Sequence, residues 1–589
     1  MMWRNSRTRP HGANDDLAGR RTTLGQYGAL SNMRWDWLVR LWHSLSTVGL
    51  LLGSLFFAAS LTPTLVPRTF LTQGVLSGFS FAAGYGIGVL GNWLWTYLEV
   101  PRPQGRILRN VTLAAAIVCA IIVIAFFWRW TQWQNSIRQI MELEPLAGAQ
   151  PLGFALIALV TLTILIALAR LFQLVFHFVS TRLHRFLPKR VSNVLGAIVG
   201  IALFWSVING ILVRALLHLA DSSFREYDAL IEPETSPPTA PLKTGSSASL
   251  IRWDDLGRAG REFISSEPSS ADLHAFSGKD TREPVRVYVG LRSGETPQAR
   301  ANLALEELKR VGGFDRSVLI VVTPTGTGWI DPGALDSVEY LQDGDVASVA
   351  IQYSYLPSWL TLLVDPGYGA DTAQALFSEI YRYWTSLPRD HRPRLYLHGL
   401  SLGALNSAQS VQLFEIIGDP IDGALWSGPP YSSEVWRSFM NDRNPGTPAW
   451  LPQFRDGSFV RFMNQDGVAV APDSHWGPMR IVYLQYASDP VTFFDYQDLY
   501  REPDWMIPPR GPDVSPDLRW YPVVTLFQLT LDMLMATTTP PGYGHVFAPA
   551  HYVDAWIEVT DVKGWSADDI ARLKRHLAKD NDHRGDALQ

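Results

Sequence analysis

Cysteine is almost absent from this chain of 589 residues, whose single example is Cys119. One cysteine excludes an intrachain disulfide and a zinc site built on cysteine ligands. Charged residues are also scarce, because Asp, Glu, Lys and Arg make up 18% of the sequence while hydrophobic residues make up 47%. This balance excludes a disordered or fibrous protein, since such chains carry less apolar surface. It indicates that part of the chain is buried in lipid.

Five long apolar runs before residue 220 contain no Asp, Glu, Lys or Arg. A bilayer core needs about 20 mostly apolar residues per helix, so we expect five transmembrane helices rather than buried helices of a soluble protein. A cleaved signal peptide is a poor explanation, because four more apolar runs follow the first one. The runs occupy residues 41–65, 69–98, 111–128, 152–169 and 191–213.

Positive charge alternates between the segments that connect these runs. Residues 1–220 hold 19 Lys and Arg against 6 Asp and Glu, and the rest of the chain holds 31 against 49. The basic residues concentrate in residues 1–40, in the second loop and in the fourth loop. Cytoplasmic segments carry such an excess, so residues 1–40 are predicted to be a basic cytoplasmic segment and 41–220 a transmembrane domain. An odd number of spans then places the remainder outside the cytoplasm.

The sequence pattern changes after residue 220. Residues 221–280 are predicted to be a linker, because 232–250 is rich in Pro, Ser and Thr and poor in large apolar residues. Short β-branched runs then alternate with amphipathic stretches, which predicts a mainly parallel sheet flanked by helices over 281–580. The strands are expected at 285–289, 318–322, 347–353, 394–398, 423–426 and 481–486.

The sharpest chemical signal is the run RLYLHGLSLGA at 394–404, in which Gly399, Ser401 and Gly403 match the pattern G-x-S-x-G. An apolar strand precedes the motif and a helix-compatible stretch follows it, as in a nucleophile elbow. Small residues at 399 and 403 suit a tight turn with a closely packed helix. Ser401 is therefore the predicted nucleophile, at a helix N-terminus that favours developing negative charge.

A serine hydroxyl needs a histidine to take its proton and an acid to orient that histidine, and in this fold their chain order is Ser, acid, His. Asp489 ends an apolar strand, where the fold supplies its acid, and Asp495 is the alternative. His545 lies in the glycine-rich loop PPGYGH, whereas the alternative His551 falls inside a predicted helix. The predicted catalytic triad is Ser401, Asp489 and His545.

An acyl-transfer site also needs backbone N–H donors for the oxyanion. Leu402, which follows the nucleophile, is the expected first donor. The second is expected among Gly326, Thr327 and Gly328, where a strong strand runs into the sequence TGTGW. A phosphate-binding loop is a poor alternative, because the third glycine and the P-loop lysine are missing. No metal, cofactor or nucleic acid is predicted to bind.

Aromatic residues are frequent in the segment that follows the fifth predicted strand. A cap insertion over about 430–478, with an apolar acyl pocket, is one interpretation of this segment. Ordinary core packing explains the same residues equally well. They are Trp436, Phe439, Trp450, Phe454, Phe459, Phe462 and Trp476.

Six motifs spread over nearly the full chain carry a resemblance to a known family. They are SLTPTLVPR at 60–68, GYGIG at 84–88, PTGTGW at 324–329, QYSYLPS at 352–358, HGLSLG at 398–403 and GHVF at 544–547. The chain resembles a largely uncharacterised bacterial family of integral-membrane proteins with a C-terminal α/β-hydrolase domain. The resemblance implies a multi-pass protein of the bacterial cytoplasmic membrane and serine-hydrolase chemistry, but no particular substrate.

The expected function is that of a membrane-anchored esterase or lipase whose extracytoplasmic domain acts on a lipid or another amphiphilic ester. The lipid-like substrate is inferred from the membrane location. An acyltransferase that uses the same acyl-enzyme is one alternative. A catalytically silent membrane scaffold is the other, and the intact Ser, Asp and His candidates argue against it.

Overall fold

Helices form the N-terminal region of the computed structural model, which describes residues 45–206, 228–230, 236–356 and 369–587 except Pro103, Ala147, Ala149, Gln150, Leu187 and Pro472. The predicted basic segment 1–40 lies outside the described residues. The helices of this region are α1 (Thr47–Ser60), α2 (Phe70–Tyr97), α3 (Gly105–Ile140), α4 (Pro151–Leu183) and α5 (Lys189–Trp205).

A helix lies at each of the five predicted spans. Among the described residues, α2, α3 and α4 are long and apolar enough to cross a membrane. The helices α1 and α5 are apolar but shorter. The predicted spans at 41–65 and 191–213 extend beyond the described residues. The structure therefore supports membrane association, and the crossing of a bilayer by α1 and α5 stays a prediction.

Glycines on α2 bring its neighbours close to it. A Cβ atom built on Gly88 would lie 2.7 Å from the Cα atom of Gly49 on α1. A Cβ atom on Gly78 would lie 2.6 Å from the Cβ atom of Thr161 on α4. Small residues stabilise helix pairs in lipid because they let the backbones approach and pack. The glycine spacing of α2 is thus a packing feature.

The C-terminal domain is built on an eight-stranded sheet with the order β1-β3-β2-β4-β5-β8-β6-β7. Neighbouring strands are parallel except for β6 and β7, which are antiparallel. All six predicted strands are confirmed, as β1 to β5 and β8. The strands are β1 (Val285–Val289), β2 (Val318–Thr323), β3 (Val346–Ile351), β4 (Arg394–Leu400), β5 (Gly423–Ser427), β6 (Val460–Asn464), β7 (Gly467–Val468) and β8 (Arg480–Leu484).

Helices flank this sheet, as continuously buried parallel strands require. The helices α8, α10 and α11 pack on strands of the first half of the sheet, and α16 packs on β5 and β8. The helices are α6 (Gly257–Ser265), α7 (Ser270–Ser277), α8 (Pro297–Arg310), α9 (Pro332–Leu341), α10 (Ala370–Ser386), α11 (Leu402–Ser410), α12 (Leu413–Ile416), α13 (Glu434–Asn441), α14 (Pro490–Phe493), α15 (Val524–Leu534), α16 (Pro549–Thr560) and α17 (Ala567–Ala587).

Part of the predicted linker 221–280 is folded onto the C-terminal domain. The helices α6 and α7 lie within it and bury Phe263 and Leu273 in the domain core. Glu307 of α8 accepts hydrogen bonds from the hydroxyl of Ser249 at 2.6 Å and the N–H of Leu250 at 3.0 Å. The residues after 250 form short helices that each bury one side against the domain.

The predicted cap insertion, about 430–478, contributes two strands to the sheet. β6 lies inside it and pairs with β8, with Val460 opposite Ile481. Most of its aromatic residues pack in or against the domain core, and Phe459 is 39% exposed. This supports the alternative of ordinary packing over an aromatic acyl pocket. The strand β6 is hard to predict from the sequence, because Arg461 and Asn464 interrupt its apolar pattern.

Candidate active site

Ser401 lies at the sharp turn between β4 and α11. Its backbone has φ 58° and ψ −125°, a conformation that residues other than glycine adopt rarely and only when the surroundings enforce it. Its N–H donates to the carbonyl oxygen of Ser427, at the end of β5, over 2.9 Å. The turn therefore fixes Ser401 at the carboxyl ends of the parallel strands, where open α/β sheets place their ligands.

Gly399 and Gly403 leave no room for a side chain around this turn. A Cβ atom on Gly399 would lie 2.4 Å from the carbonyl carbon of Gly403. A Cβ atom on Gly403 would lie 2.2 Å from the carbonyl oxygen of Thr323, at the end of β2. The close approach of strand, turn and helix expected from the sequence is thus present. It also places the loop after β2 against the N-terminus of α11.

Asp489 and His545 form a buried hydrogen-bonded pair. Nδ1 of His545 donates to Oδ2 of Asp489 over 2.7 Å. The same carboxylate accepts the N–H of Val491 at 2.9 Å and the hydroxyl of Thr492 at 3.1 Å. These bonds orient the carboxylate, and the carboxylate fixes the tautomer that leaves Nε2 of His545 as an acceptor. Nε2 is buried without a hydrogen-bond partner among the described residues.

The imidazole of His545 lies beside the turn that holds Ser401. A Cβ atom on Gly428 would lie 2.7 Å from Cε1 of His545. Gly428 directly follows Ser427, whose carbonyl accepts the N–H of Ser401. Gly428 also has φ +48°, a left-handed conformation that glycine adopts without strain. A glycine at 428 therefore provides the space that the imidazole occupies next to β5.

The two alternative residues occupy other positions. The carboxylate of Asp495 caps the short helix Tyr496–Leu499. His551 lies on α16, and its Nδ1 is 2.6 Å from the hydroxyl oxygen of Tyr486. Burial lowers the pKa of His551. Among the described residues, the geometry therefore pairs Asp489 with His545 and leaves both alternatives outside this pair.

A second buried carboxylate supports the loop that carries His545. Oδ2 of Asp513 accepts the N–H of Ser488 at 2.9 Å and its hydroxyl at 2.6 Å. The hydroxyl oxygen of Ser488 in turn accepts the N–H of Gly544 at 2.9 Å. Sequence reasoning missed both residues. The position of Ser488 directly before Asp489 was a usable signal, whereas an irregular segment separates Asp513 from the site.

The loop after β2 forms a tight turn beside the elbow. The N–H of Gly328 donates to the carbonyl oxygen of Thr325 over 2.9 Å. The hydroxyl of Tyr288 donates to the carbonyl oxygen of Gly328 at 2.8 Å, and the amide of Gln352 donates to that of Thr327 at 3.2 Å. Two side chains thus hold the turn in place. The engaged N–H of Gly328 disfavours it as an oxyanion donor.

Leu402 begins α11 and is 1% exposed. Its side chain packs against Val491, which follows the acid, and Ala536, which lies between α15 and the histidine loop. The first N–H groups of a helix lack acceptors within the helix and point towards its N-terminus. An anion next to Ser401 would therefore meet backbone N–H groups and the positive end of the helix dipole.

Two further features surround the site. Nδ1 of His398 donates to the carbonyl oxygen of Leu425 over 2.9 Å, and burial lowers the pKa of His398 to about 4, so this histidine is a neutral core residue. A cavity of about 380 Å³ lies between α13 and the segment after α14. Its lining includes Thr492, Arg437 and Asp498. The lining also includes aromatic residues such as Trp436 and Phe494, so it mixes charged and aromatic side chains and differs from the apolar acyl pocket that is one interpretation of the sequence.

Two family models match the chain. Residues 285–573 match the model described as the alpha/beta-hydrolase family, and residues 61–268 match that described as the alpha/beta-hydrolase family N-terminus. No curated protein matches the sequence. A solved structure described as "LipS and LipT, two metagenome-derived lipolytic enzymes increase the diversity of known lipase and esterase families" aligns at 13% identity, covers 45% of this chain and 94% of that chain, and has a TM-score of 0.14. At that score the likeness carries no argument.

Proposed function

The chain belongs to the α/β-hydrolase family, and on that premise we propose that it is a membrane-anchored serine hydrolase that cleaves an ester of a lipid or another envelope amphiphile. The observation that carries the proposal is the buried Asp489–His545 pair beside a serine in a strained turn. The unpartnered Nε2 of His545 is the acceptor that a serine nucleophile requires.

In the proposed reaction, Oγ of Ser401 attacks the ester carbonyl while Nε2 of His545 takes the hydroxyl proton. Asp489 stabilises the imidazolium that forms. The N–H of Leu402, with that of Gly326 or Thr327, stabilises the oxyanion. His545 then gives the proton to the departing alcohol, and the same steps with water release the acid from Ser401. An alcohol in place of water would make the reaction an acyl transfer.

The contacts between the two regions support the proposed orientation. The hydroxyl of Ser136, near the end of α3, lies 2.9 Å from that of Ser515, and the loop after α1 bonds to α15 through Leu65. The C-terminal domain therefore contacts the first and third loops, which contain few basic residues. We propose that these loops and the domain lie outside the cytoplasm. A reporter fused after Gln589 that is active only in the cytoplasm would contradict this orientation.

Labelling with a fluorophosphonate probe tests the proposed nucleophile and base. We expect the solubilised parent protein to be labelled and to hydrolyse p-nitrophenyl esters, and Ser401→Ala and His545→Ala to lose both activities. Ser410→Ala, on the same helix as the elbow, and His551→Ala are matched controls that should keep both. Labelling that persists in Ser401→Ala would contradict the assignment, and labelling that is lost in His551→Ala would transfer the role of the base.

Turnover of esters of increasing acyl length then tests the lipid-like substrate. We expect activity to rise with acyl length in detergent or lipid, because the domain is held next to apolar helices. Highest activity on acetyl esters, with none on long chains, would contradict a lipid substrate. Product analysis with an added alcohol separates hydrolysis from acyl transfer.

A further inference from the structure

The loop between α1 and α2 is part of the C-terminal domain as much as of the helical region. Leu65 and Val66 lie in this loop and are 1% and 0% exposed. Both belong to the hydrophobic core that surrounds the sheet of the C-terminal domain. A loop that only connected two membrane helices would have no need to enter this core. The buried contact fixes the helical region to the domain.

A buried carboxylate on α15 accepts hydrogen bonds from this loop. Oδ1 of Asp532 accepts the hydroxyl of Thr64 at 3.1 Å, and its Oδ2 accepts the N–H of Leu65 at 2.9 Å. Nε of Arg68 lies 3.6 Å from Oδ1, and both side chains of this ion pair are 0% exposed. One turn earlier on α15, the amide of Gln528 donates to the carbonyl oxygen of Thr62 at 3.3 Å. The loop therefore holds α15 by charge and by hydrogen bonds.

Arg68 is also bound to the helical region. Its Nη1 donates to the carbonyl oxygen of Ser60, at the end of α1, and to Oε1 of Gln73 on α2, both at 3.0 Å. Its backbone N–H donates to Oε1 of Gln134 on α3 at 2.9 Å. Arg68 thus connects three helices to one carboxylate. A buried charge needs its partner and its hydrogen bonds, so this network has little freedom to rearrange.

The C-terminal end of α15 contacts the candidate active site. The N–H of His545 donates to the carbonyl oxygen of Ala536, two residues after α15 ends, over 2.9 Å. Ala536 and Met533 also pack against Leu402, the proposed oxyanion donor. The helix α15 therefore contacts the loop after α1 through Gln528 and Asp532. At its C-terminal end it contacts the segment that carries His545 and the first residue of α11, Leu402.

We propose that Arg68 and Asp532 are positioning residues that hold α15, and through it His545 and Leu402, in the arrangement required for catalysis. The proposal rests on the proposed function, because it assigns these roles to His545 and Leu402. Under this proposal, the N-terminal region anchors the protein and also helps to position the catalytic residues. The expected consequence is that a change in the loop after α1 alters the rate of the chemical step.

The full-length protein in detergent or lipid nanodiscs tests this proposal with Asp532→Asn. A fluorophosphonate gives two independent quantities, the fraction of active sites from the labelled amount and the rate constant per active site. We expect Asp532→Asn to lower that rate constant and kcat on a short ester by about 10- to 100-fold, because small displacements of catalytic groups cost that much. KM should stay within about twofold.

Three further variants separate positioning from general loss of stability. Thr64→Val removes the hydroxyl that bonds to both Asp532 and Arg68, at nearly constant side-chain shape, and should slow the reaction by about threefold. Ser136→Ala removes the contact with Ser515, which lies outside α15, and should leave the rate constant unchanged. Glu339→Gln weakens a different buried ion pair, between Glu339 and Arg286, which lies away from α15. This variant should lower the fraction of active sites without lowering the rate constant per active site.

Each outcome is decisive. A parental rate constant in Asp532→Asn and Thr64→Val overturns the positioning role, whether or not the active fraction falls. An equal slowing by Glu339→Gln also overturns it, because the effect would then be general. If Asp532→Asn fails to fold, Thr64→Val decides through its rate constant alone. A folded parent that is never labelled at Ser401 contradicts the proposed function itself, and this result is distinct from the others.

Discussion

The helices before residue 206 turn large apolar side chains outward, whereas the domain after residue 249 encloses them. Trp128 is 81% exposed and Leu174 is 68% exposed, while Val287 and Phe377 in the domain core are fully buried. Exposed apolar surface of this extent is unfavourable in water and favourable in lipid. Helices satisfy their own backbone hydrogen bonds, so they can present such a surface to a bilayer.

Buried polar groups serve different purposes in the two regions. In the helical region, Gln73 and Gln134 are buried at the ends of the helices and bind Arg68. In the domain, Asp489, Ser488 and Asp513 are buried around one histidine loop. The first set joins the helical region to α15, whereas the second set contacts the histidine loop directly. We therefore expect the largest losses of activity from substitutions in the second set.

The largest expected effect is that of Asp489→Asn. An amide at 489 cannot hold His545 in the required tautomer or stabilise the imidazolium. We expect kcat to fall on the order of 10³- to 10⁴-fold with little loss of stability. Kinetics on p-nitrophenyl esters and thermal unfolding in detergent measure the two effects. Asp495→Asn is the matched control, and a loss of activity in this variant instead would transfer the role of the acid.

The fold was predictable from the sequence where local pattern decides it. The strands β1 to β5 are mostly β-branched or apolar, with few polar residues such as Arg286 and His398, because they are buried on both faces. The elbow was predictable because its motif is short and lies between a strand and a helix, although the atom that excludes a side chain at Gly403 is the distant carbonyl oxygen of Thr323. The strand β6 and the folded part of the linker were not, since their apolar residues are too few or too spread to show a period.

The candidate site also has one part that was predictable from the sequence and one part that was not. The pairing of Asp489 with His545 was predictable because chain order in this fold constrains it. The support of the histidine loop by Asp513 was not, because it joins distant irregular segments and depends on tertiary packing. The ion pair of Arg68 and Asp532 joins two regions that the sequence suggests are separate. No local periodicity carries information about such a contact.

Acidification is expected to lower the stability of the C-terminal domain before that of the N-terminal helices. The pKa of His398 is about 4 in the folded protein and near 6.5 when unfolded, because burial disfavours the imidazolium. The unfolded state therefore binds the proton first, and stability is lost as the pH falls from about 6.5 to 4, by about 3 kcal/mol.

Unfolding of the parent and of His398→Gln at pH 7 and pH 4.5 measures this contribution. The pH dependence of the parent should be steeper, and limited proteolysis at low pH should cut the domain before the loops between helices. Equal pH dependence in both proteins would show that His398 contributes no such linkage.

A smaller effect is expected for Gly78→Ala in α2. The added Cβ atom would lie 2.6 Å from the Cβ atom of Thr161 and 2.9 Å from the carbonyl oxygen of Ala158, so α2 and α4 must separate. We expect a loss of about 1–3 kcal/mol in stability with no change in the rate constant per active site. At Gly86, on the same helix, the added atom would meet nothing within 4 Å among the described residues. Gly86→Ala should be neutral, and equal losses in both variants would refute the packing role of Gly78.

The smallest effect that still distinguishes a role in catalysis from a role in packing is expected for Ser488→Ala. The change removes the hydroxyl that joins Asp513 to the N–H of Gly544, one residue before His545. The loop loses this support but keeps the bonds of His545 to Ala536 and Asp489, so we expect kcat to fall about tenfold with KM within twofold. Thr538→Ala, in the same loop, removes a hydroxyl that donates to the carbonyl oxygen of Met535, and it should leave both constants unchanged. An unchanged kcat in Ser488→Ala would mean that the bonds of His545 to Asp489 and Ala536 position it without Ser488, which would give the contact with α15 a larger share of the control over catalysis.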